Sequence, residues 1–161
     1  MSKRKSVIAP EKIHLVSINI IKAHLDAAEG FLDQPAKASA FAFGMAKDIA
    51  NDLEANRSRY RLYFTLEAQD AEGQALGLKV EYGIEFHFYV ENFQDFIHHP
   101  VAGQPQIDAA LGATLLGIAY STARGIVFER TRGTFFDGIL LPVIDPFKAL
   151  ADQEESASGS R

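Results

Sequence analysis

Along the first third of the chain, apolar and polar positions alternate with period two and then lose step. Ile13, Leu15, Ile18 and Ile20 keep a strand-like rhythm that changes parity at Val16. One extra residue near Leu15–Val16 explains the slip, so a bulged strand is expected there. Asp33–Lys37 reads as a turn, after which Phe41, Phe43 and Met45 mark a second strand whose opposite face carries Ala40, Ala42 and Gly44. The segment Ile49–Asn56 is polar and reads as a connection. Two longer runs follow. Tyr60, Leu62, Phe64, Leu66 and Ala68 alternate with Arg59, Arg61, Tyr63, Thr65 and Glu67. Beyond the turn formers Asp70 and Gly73, the same rhythm runs through Leu76, Leu78, Val80, Tyr82, Ile84, Phe86, Phe88 and Val90. The pair predicts an antiparallel hairpin with one buried face. At ~3.3 Å per residue the second strand would reach roughly 50 Å, so a bend is expected at Gly83, where no Cβ resists it.

Asn92–Pro105, with His98-His99-Pro100, is rich in turn residues and reads as a loop. From Gln106 the apolar spacing changes to three and four. Ile107, Leu111, Leu115, Ile118, Thr122, Ile126 and Glu129 fall on one stripe of a long helix that ends before Gly133. Gly112, Gly117 and Gly125 lie inside it. Each costs about 1 kcal/mol against alanine in a helix interior, which points to close approach of another backbone. Gly112, Gly117, Tyr120 and Gly125 are therefore the candidate oligomer contacts. Thr134–Ile144, with its glycine and proline, reads as an extended loop; Asp145-Pro146 supplies an N-cap and a first helical proline for a short helix, Pro146–Ala151. The pattern divides into a flexible start (1–10), one domain (11–151) and a polar tail (152–161) expected to be disordered.

Composition narrows the function classes. The chain has 161 residues, 47% of them hydrophobic, enough for one core. A net charge of −5 argues against a grip on nucleic-acid phosphate. No cysteine is present, which excludes disulfides, thiolate metal sites and cysteine nucleophiles. No signal-peptide run follows the basic start, no stretch reads as a membrane span, and a cytoplasmic location is expected. No glycine-rich turn followed by Lys-Ser/Thr is available for a nucleotide phosphate, and no serine sits in a nucleophile elbow. No cofactor, no metal and no enzymatic activity are expected. The excess is aromatic, with twelve Phe and five Tyr. Phe135, Phe136 and Phe147 fall in or beside the post-helix loop, where aromatics either plug a core edge or line a groove. A groove of aromatic and aliphatic side chains would accept extended segments with little sequence preference.

Ala119-Tyr-Ser-Thr-Ala-Arg124, Thr131-Arg-Gly-Thr-Phe135 and Leu140-Leu-Pro-Val-Ile-Asp-Pro-Phe-Lys-Ala-Leu150 together resemble the C-terminal half of the SecB family of protein-export chaperones, in order and spacing. Val80-Glu81-Tyr82-Gly83 is similar to a Val-x-x-Gly of the same family, and the resemblance extends over residues 11 to 150. It implies an α+β fold, a four-stranded antiparallel sheet with a long helix and a short C-terminal helix packed on it. It also implies a homotetramer built as a dimer of dimers, and ATP-independent holding of unfolded or precursor polypeptides for export. On that reading Phe86, Phe88, Phe135, Phe136, Leu141 and Phe147 are the client-binding candidates.

Two features depart from the family. Where SecB proteins present acidic residues to the SecA motor, the corresponding stretches read Ile20-Ile21-Lys22-Ala23-His24 and Leu78-Lys79-Val80, and the tail from Asp152 lacks a basic, glycine-rich character. The departures point to a divergent SecB-like protein, with a chaperone dedicated to the antitoxin of a toxin–antitoxin pair as one alternative. An alternative of another class is a dimer that binds or converts a small ligand through Glu85, His87 and Tyr89; a third is a scaffold subunit whose aromatics pack on a fixed partner.

Overall fold

The computed structural model describes residues 6–158, with side chains as far as Asp152. Strands β1 (Ile13–Ala27), β2 (Ala40–Asp52), β3 (Arg57–Gln69) and β4 (Ala75–Val90) form one antiparallel sheet in the order β1-β4-β3-β2. A helical turn, α1 (Glu29–Asp33), joins β1 to β2, and a short ribbon pairs β5 (Ile97–His98) with β6 (Gln106–Ile107). Two helices follow, α2 (Ala109–Arg130) and α3 (Pro146–Ser158). The fold class read from the sequence, a four-stranded antiparallel sheet with a long and a short helix, is the observed one.

Contacts gather into two units. One comprises Ile18–Ile49 and Tyr60–Phe86, which hold parts of all four strands together with α1 and the β3–β4 turn. Its core is the alternating face of the central hairpin: Tyr60, Leu62, Phe64, Leu66 and Ala68 from β3, and Leu78, Val80, Tyr82, Ile84 and Phe86 from β4, all buried. On the opposite face Arg61 donates to Glu85 at 2.6 Å, and Glu81 is held between Lys22 (3.2 Å) and Lys79 (3.4 Å). Those lysines keep the Glu81 carboxyl below its ordinary range. Burial pushes the Tyr60 phenol well above its usual value. β4 runs unbroken through Gly83, where a Cβ would lie 3.0 Å from the Tyr63 ring and 3.1 Å from Lys22 Cβ. At Gly83, where a bend is expected, the missing Cβ admits the Tyr63 ring and Lys22. The strained glycine of this strand is Gly77, at φ +80°, where a Cβ would meet Ala28 Cβ at 2.8 Å.

β1 is offset against β4 in the region where one bulged residue is expected, but by two residues, which leaves parity unchanged across the interval. Lys22 faces Gly83 and Ala28 faces Gly77, whereas Glu91 donates its N–H to the Lys12 carbonyl (3.0 Å). From Lys12 to Lys22 is ten residues, while Gly83 to Glu91 is eight, so β1 carries two extra residues between these points. That interval contains Leu15 and Val16. The polar stretch from Ile49 belongs to β2 rather than to a connection, which is only Leu53–Asn56. An edge strand with both faces in solvent has no need of apolar alternation.

The other unit contains the chain up to Ser17, Ala50–Arg59 and everything from His87 onward. Here Phe88, Val90, Phe93, Phe96, Phe136 and Leu141 are buried together with Leu111, Leu115, Leu116, Ala119, Ala123 and Val127 of α2. The loop expected over Asn92–Pro105 thus contributes core through a 3₁₀ turn, Phe93–Phe96. α2 is longer-ranged in its burial than the single expected stripe: Ala119, Ala123 and Val127 lie inside, while Ile118, Thr122 and Ile126 are half-exposed. By length and composition α2 would also reach across a bilayer, which the sequence reading did not anticipate; half of that stretch is buried inside the protein, as in a core helix. Asp108 caps α2, accepting from Ala110 N–H at 2.8 Å and facing His98 Nε2 at 3.1 Å. The imidazole first, and the backbone N–H second, hold the Asp108 carboxyl below its ordinary range. Asp145 caps α3 through Phe147 N–H at 2.9 Å, as expected. α3 continues to Ser158, so residues 152–158 extend the helix into the stretch expected to be a disordered tail; 159–161 and the first five residues lie outside the described chain.

Two outcomes test this architecture. Gly77→Ala and Gly73→Ala both force a left-handed backbone, costing about 1–2 kcal/mol, but only Gly77 also meets a neighbouring Cβ. Urea unfolding should show the Gly77 variant less stable than the Gly73 variant by at least about 1 kcal/mol; equal losses would mean the Ala28 contact is slack. Asp108→Ala should cost about 1 kcal/mol at neutral pH through the lost cap. Because the folded-state pKa is depressed, that contribution is present above the ordinary carboxylate value and fades as pH falls through it and on to the folded value. The gap between wild type and variant in thermal melts should therefore narrow below about pH 4.

Candidate functional site

Between α2 and α3 the chain runs without helix or strand from Thr131 to Asp145, and side chains of α2 fix its course. The Tyr120 hydroxyl donates to the Pro142 carbonyl, and Arg124 Nε donates to the Leu141 carbonyl at 2.9 Å. Burial holds the Tyr120 phenol above its usual pKa, which keeps it a donor. Closer to α2, Thr131 and Thr134 hydroxyls close successive turns on Val127 and Thr131 carbonyls. Phe136 and Leu141 are inserted into the core at 0% and 1% exposure. Their insertion leaves the side chains between and beyond them facing out.

Exposed on this pinned segment are Phe135 (53%), Leu140 (60%) and Val143 (82%), with Phe147 (57%) at the start of α3 and Phe128 near the end of α2. Apolar side chains exposed in such numbers along one segment make it a candidate contact site. Of the six residues expected to bind clients, Phe135 and Phe147 stand at the surface. Phe86, Phe88, Phe136 and Leu141 are buried and fill core. Leu140 and Val143 are exposed as well and escape sequence reading, because each adjoins a residue of like polarity and no period separates outside from inside in an irregular segment; Phe128 lies on α2 off the expected apolar stripe.

The glycines of α2 divide likewise. A Cβ on Gly112 would meet Leu150 at 3.2 Å and one on Gly117 would meet Pro146 at 3.5 Å, so both accommodate α3 of the same chain. Tyr120 is buried beneath the post-helix segment. Gly125 alone among the four expected interface residues is exposed, with open space around it.

The polar groups singled out as a ligand site each have other engagements. Glu85 is paired with Arg61 (2.6 Å), and the Tyr89 ring stacks on His14 with centroids 6.0 Å apart. His14 in turn contacts Glu91 at 2.9 Å. Among the described residues no group of three His, Asp or Glu side chains is placed to hold a metal ion.

No family model and no curated protein matches the sequence. Two solved structures align with the chain. A protein of unknown function from Streptococcus agalactiae aligns over 81% of this chain and 97% of its own, with 15% identity and a TM-score of 0.40. A SecB-like chaperone of Mycobacterium tuberculosis, solved in complex with a ChAD peptide from the HigA1 antitoxin, aligns over 83% of this chain and 91% of its own, with 13% identity and a TM-score of 0.58. The fold of this chain is SecB-like.

Proposed function

We propose that this protein is an ATP-independent chaperone that holds unfolded or precursor polypeptides, with no chemistry of its own. The observation that carries the reading is the row of exposed apolar side chains, Phe135, Leu140, Val143 and Phe147, on a segment fixed to α2 by Tyr120 and Arg124. Apolar groups held in place bind without first having to be ordered, which lowers the entropic cost of capture. A non-native chain offers what they need, apolar side chains in extended backbone with little positional preference. The SecB-like fold supports the same reading, since the Mycobacterium protein of that fold is a chaperone solved with a peptide.

The finer proposals follow from the same surface. An antitoxin segment is a candidate client, supported by the peptide in that complex. Assembly into a homotetramer in the cytoplasm would cover the half-exposed stripe of α2, Ile118 and Ile126, around the open Gly125. Docking to the SecA motor through acidic groups of the sheet has little to use here, because Glu81 is already neutralised by Lys22 and Lys79.

Light scattering of a chemically denatured client diluted into buffer, without nucleotide, is the test. The wild-type protein should suppress aggregation at near-equimolar amounts. Phe135→Ser with Phe147→Ser should lose most of that suppression while changing unfolding free energy by no more than about 0.5 kcal/mol, as surface substitutions do. Phe136→Ser, by contrast, should cost about 3 kcal/mol or more of stability because it empties a buried site. Undiminished suppression by the folded double variant would move the client surface elsewhere; no suppression by the wild type would remove the chaperone reading.

A further inference from the structure

Away from the exposed aromatics, a cleft of about 400 Å³ opens between Asn51 and Leu53, at the end of β2, and Pro105, Gln106 and Ile107, leading into and forming β6. That volume falls within the usual range for ligand sites, about 300–1,000 Å³. Among the described residues, both strands that contribute to it have an unpaired side: β2 is the last strand of its sheet, and β6 pairs with β5 alone.

The ladder between β5 and β6 fixes where the backbone of Ile107 points. Ile97 faces Ile107 and His98 faces Gln106, while the Asp108 N–H donates to the Phe96 carbonyl at 2.8 Å. Bonded and non-bonded pairs alternate along an antiparallel ladder. With 96/108 a bonded position, 98/106 is the next one, and 97/107 is the non-bonded pair between them. The N–H and C=O of Ile107 are therefore directed away from β5, at a residue that lines the cleft.

The side chains agree with that polarity. Asn51 Oδ1 accepts from the Ser58 hydroxyl at 2.6 Å, which orients the carboxamide and leaves its NH₂ available. Gln106 adds a second, exposed carboxamide. Leu53, Pro105 and Ile107 supply apolar contact. No charged residue lines the cleft, so it has neither a cation for phosphate or carboxylate nor a carboxylate for an amine.

We propose that this cleft binds an uncharged, extended stretch of polypeptide by strand addition to the free side of β6, main chain to the Ile107 amide and carbonyl, with the Asn51 and Gln106 carboxamides completing the main-chain bonds. It is a second, polar subsite, apart from the aromatic surface, and it rests on the reading of this chain as a polypeptide binder. The two would hold different features of one client, apolar side chains and bare backbone.

The probe is the capped, uncharged peptide acetyl-Thr-Val-Thr-Val-Thr-amide with a fluorophore, titrated against the full chain by anisotropy and, without the fluorophore, by amide NMR. Binding should shift the Ile107 and Gln106 amides. Ile107→Pro removes the outward N–H without removing a β5 hydrogen bond, and should weaken binding about fivefold or more, the loss expected of one hydrogen bond. Gln106→Ala should weaken it about two- to threefold. As a control independent of variant folding, methylating the peptide's central amide nitrogens should abolish binding to the wild-type protein. Binding that leaves the Ile107 amide unmoved and survives both Ile107→Pro and N-methylation would overturn the subsite while leaving the chaperone reading intact. So would failure to bind the peptide alongside full suppression of client aggregation. Loss of both peptide binding and suppression would overturn the subsite together with the reading on which it rests.

Discussion

The central hairpin must bury one face, and the rest of the molecule is arranged around that need. β3 and β4 occupy the middle of the sheet and place an unbroken series of aromatic and aliphatic side chains, from Tyr60 to Ala68 and from Leu78 to Val90, out of water. At about 25 cal/mol per Å² of apolar surface, burying each such side chain is worth about 1.5–3 kcal/mol. A shift of one residue in register would turn the whole series outward. The opposite face reinforces the register with cross-strand charge pairs such as Arg61 with Glu85, and by seating Tyr63 over Gly83. The outer strands carry no comparable demand, which is why β1 tolerates two extra residues and β2 turns polar toward its end.

The second constraint is local to the post-helix segment. Fifteen or so residues without regular structure would ordinarily be mobile, but here two core insertions and two hydrogen bonds to α2 fix the path. Phe136 and Leu141 act as anchors, and the carbonyls beside them are taken up by Arg124 and Tyr120. Apolar residues beside the anchors, Phe135, Leu140 and Val143, stay outside. Their exposure is thus a geometric consequence of how the segment is held, and the same restraint makes them a prepared contact surface.

Strand edges supply the complementary resource. Main-chain groups at an edge are sequence-blind donors and acceptors, whereas the aromatic surface discriminates only apolar from polar. On the proposed reading, the two surfaces together would read features common to all unfolded chains. On the sheet surface, Glu81 is paired with two lysines of its own chain.

Period-two alternation in the hairpin and the three-and-four spacing of α2 were legible in the sequence because each reports burial on one side of a regular element, and so was the order of strands and helices. The cap at Asp145 was legible for the same local reason, whereas the stretch expected to be extended from Thr134 begins as successive turns through Gly138. What the sequence left open was which side of an irregular or doubly apolar stretch faces out. Phe135 and Phe136 are adjacent and chemically identical, yet one is exposed and the other has no exposure at all. Phe86 and Phe88 carry the same alternation whether they face a core or a groove. Gly112 and Gly117 announce a close neighbour without saying that it is α3 of the same chain. Helix and strand periods are set by the local backbone dihedral angles of each element, so the chain alone announces them; the inside and outside of a loop, and the partner of a glycine, are set by contacts between residues far apart, and those exist only once the tertiary structure has formed.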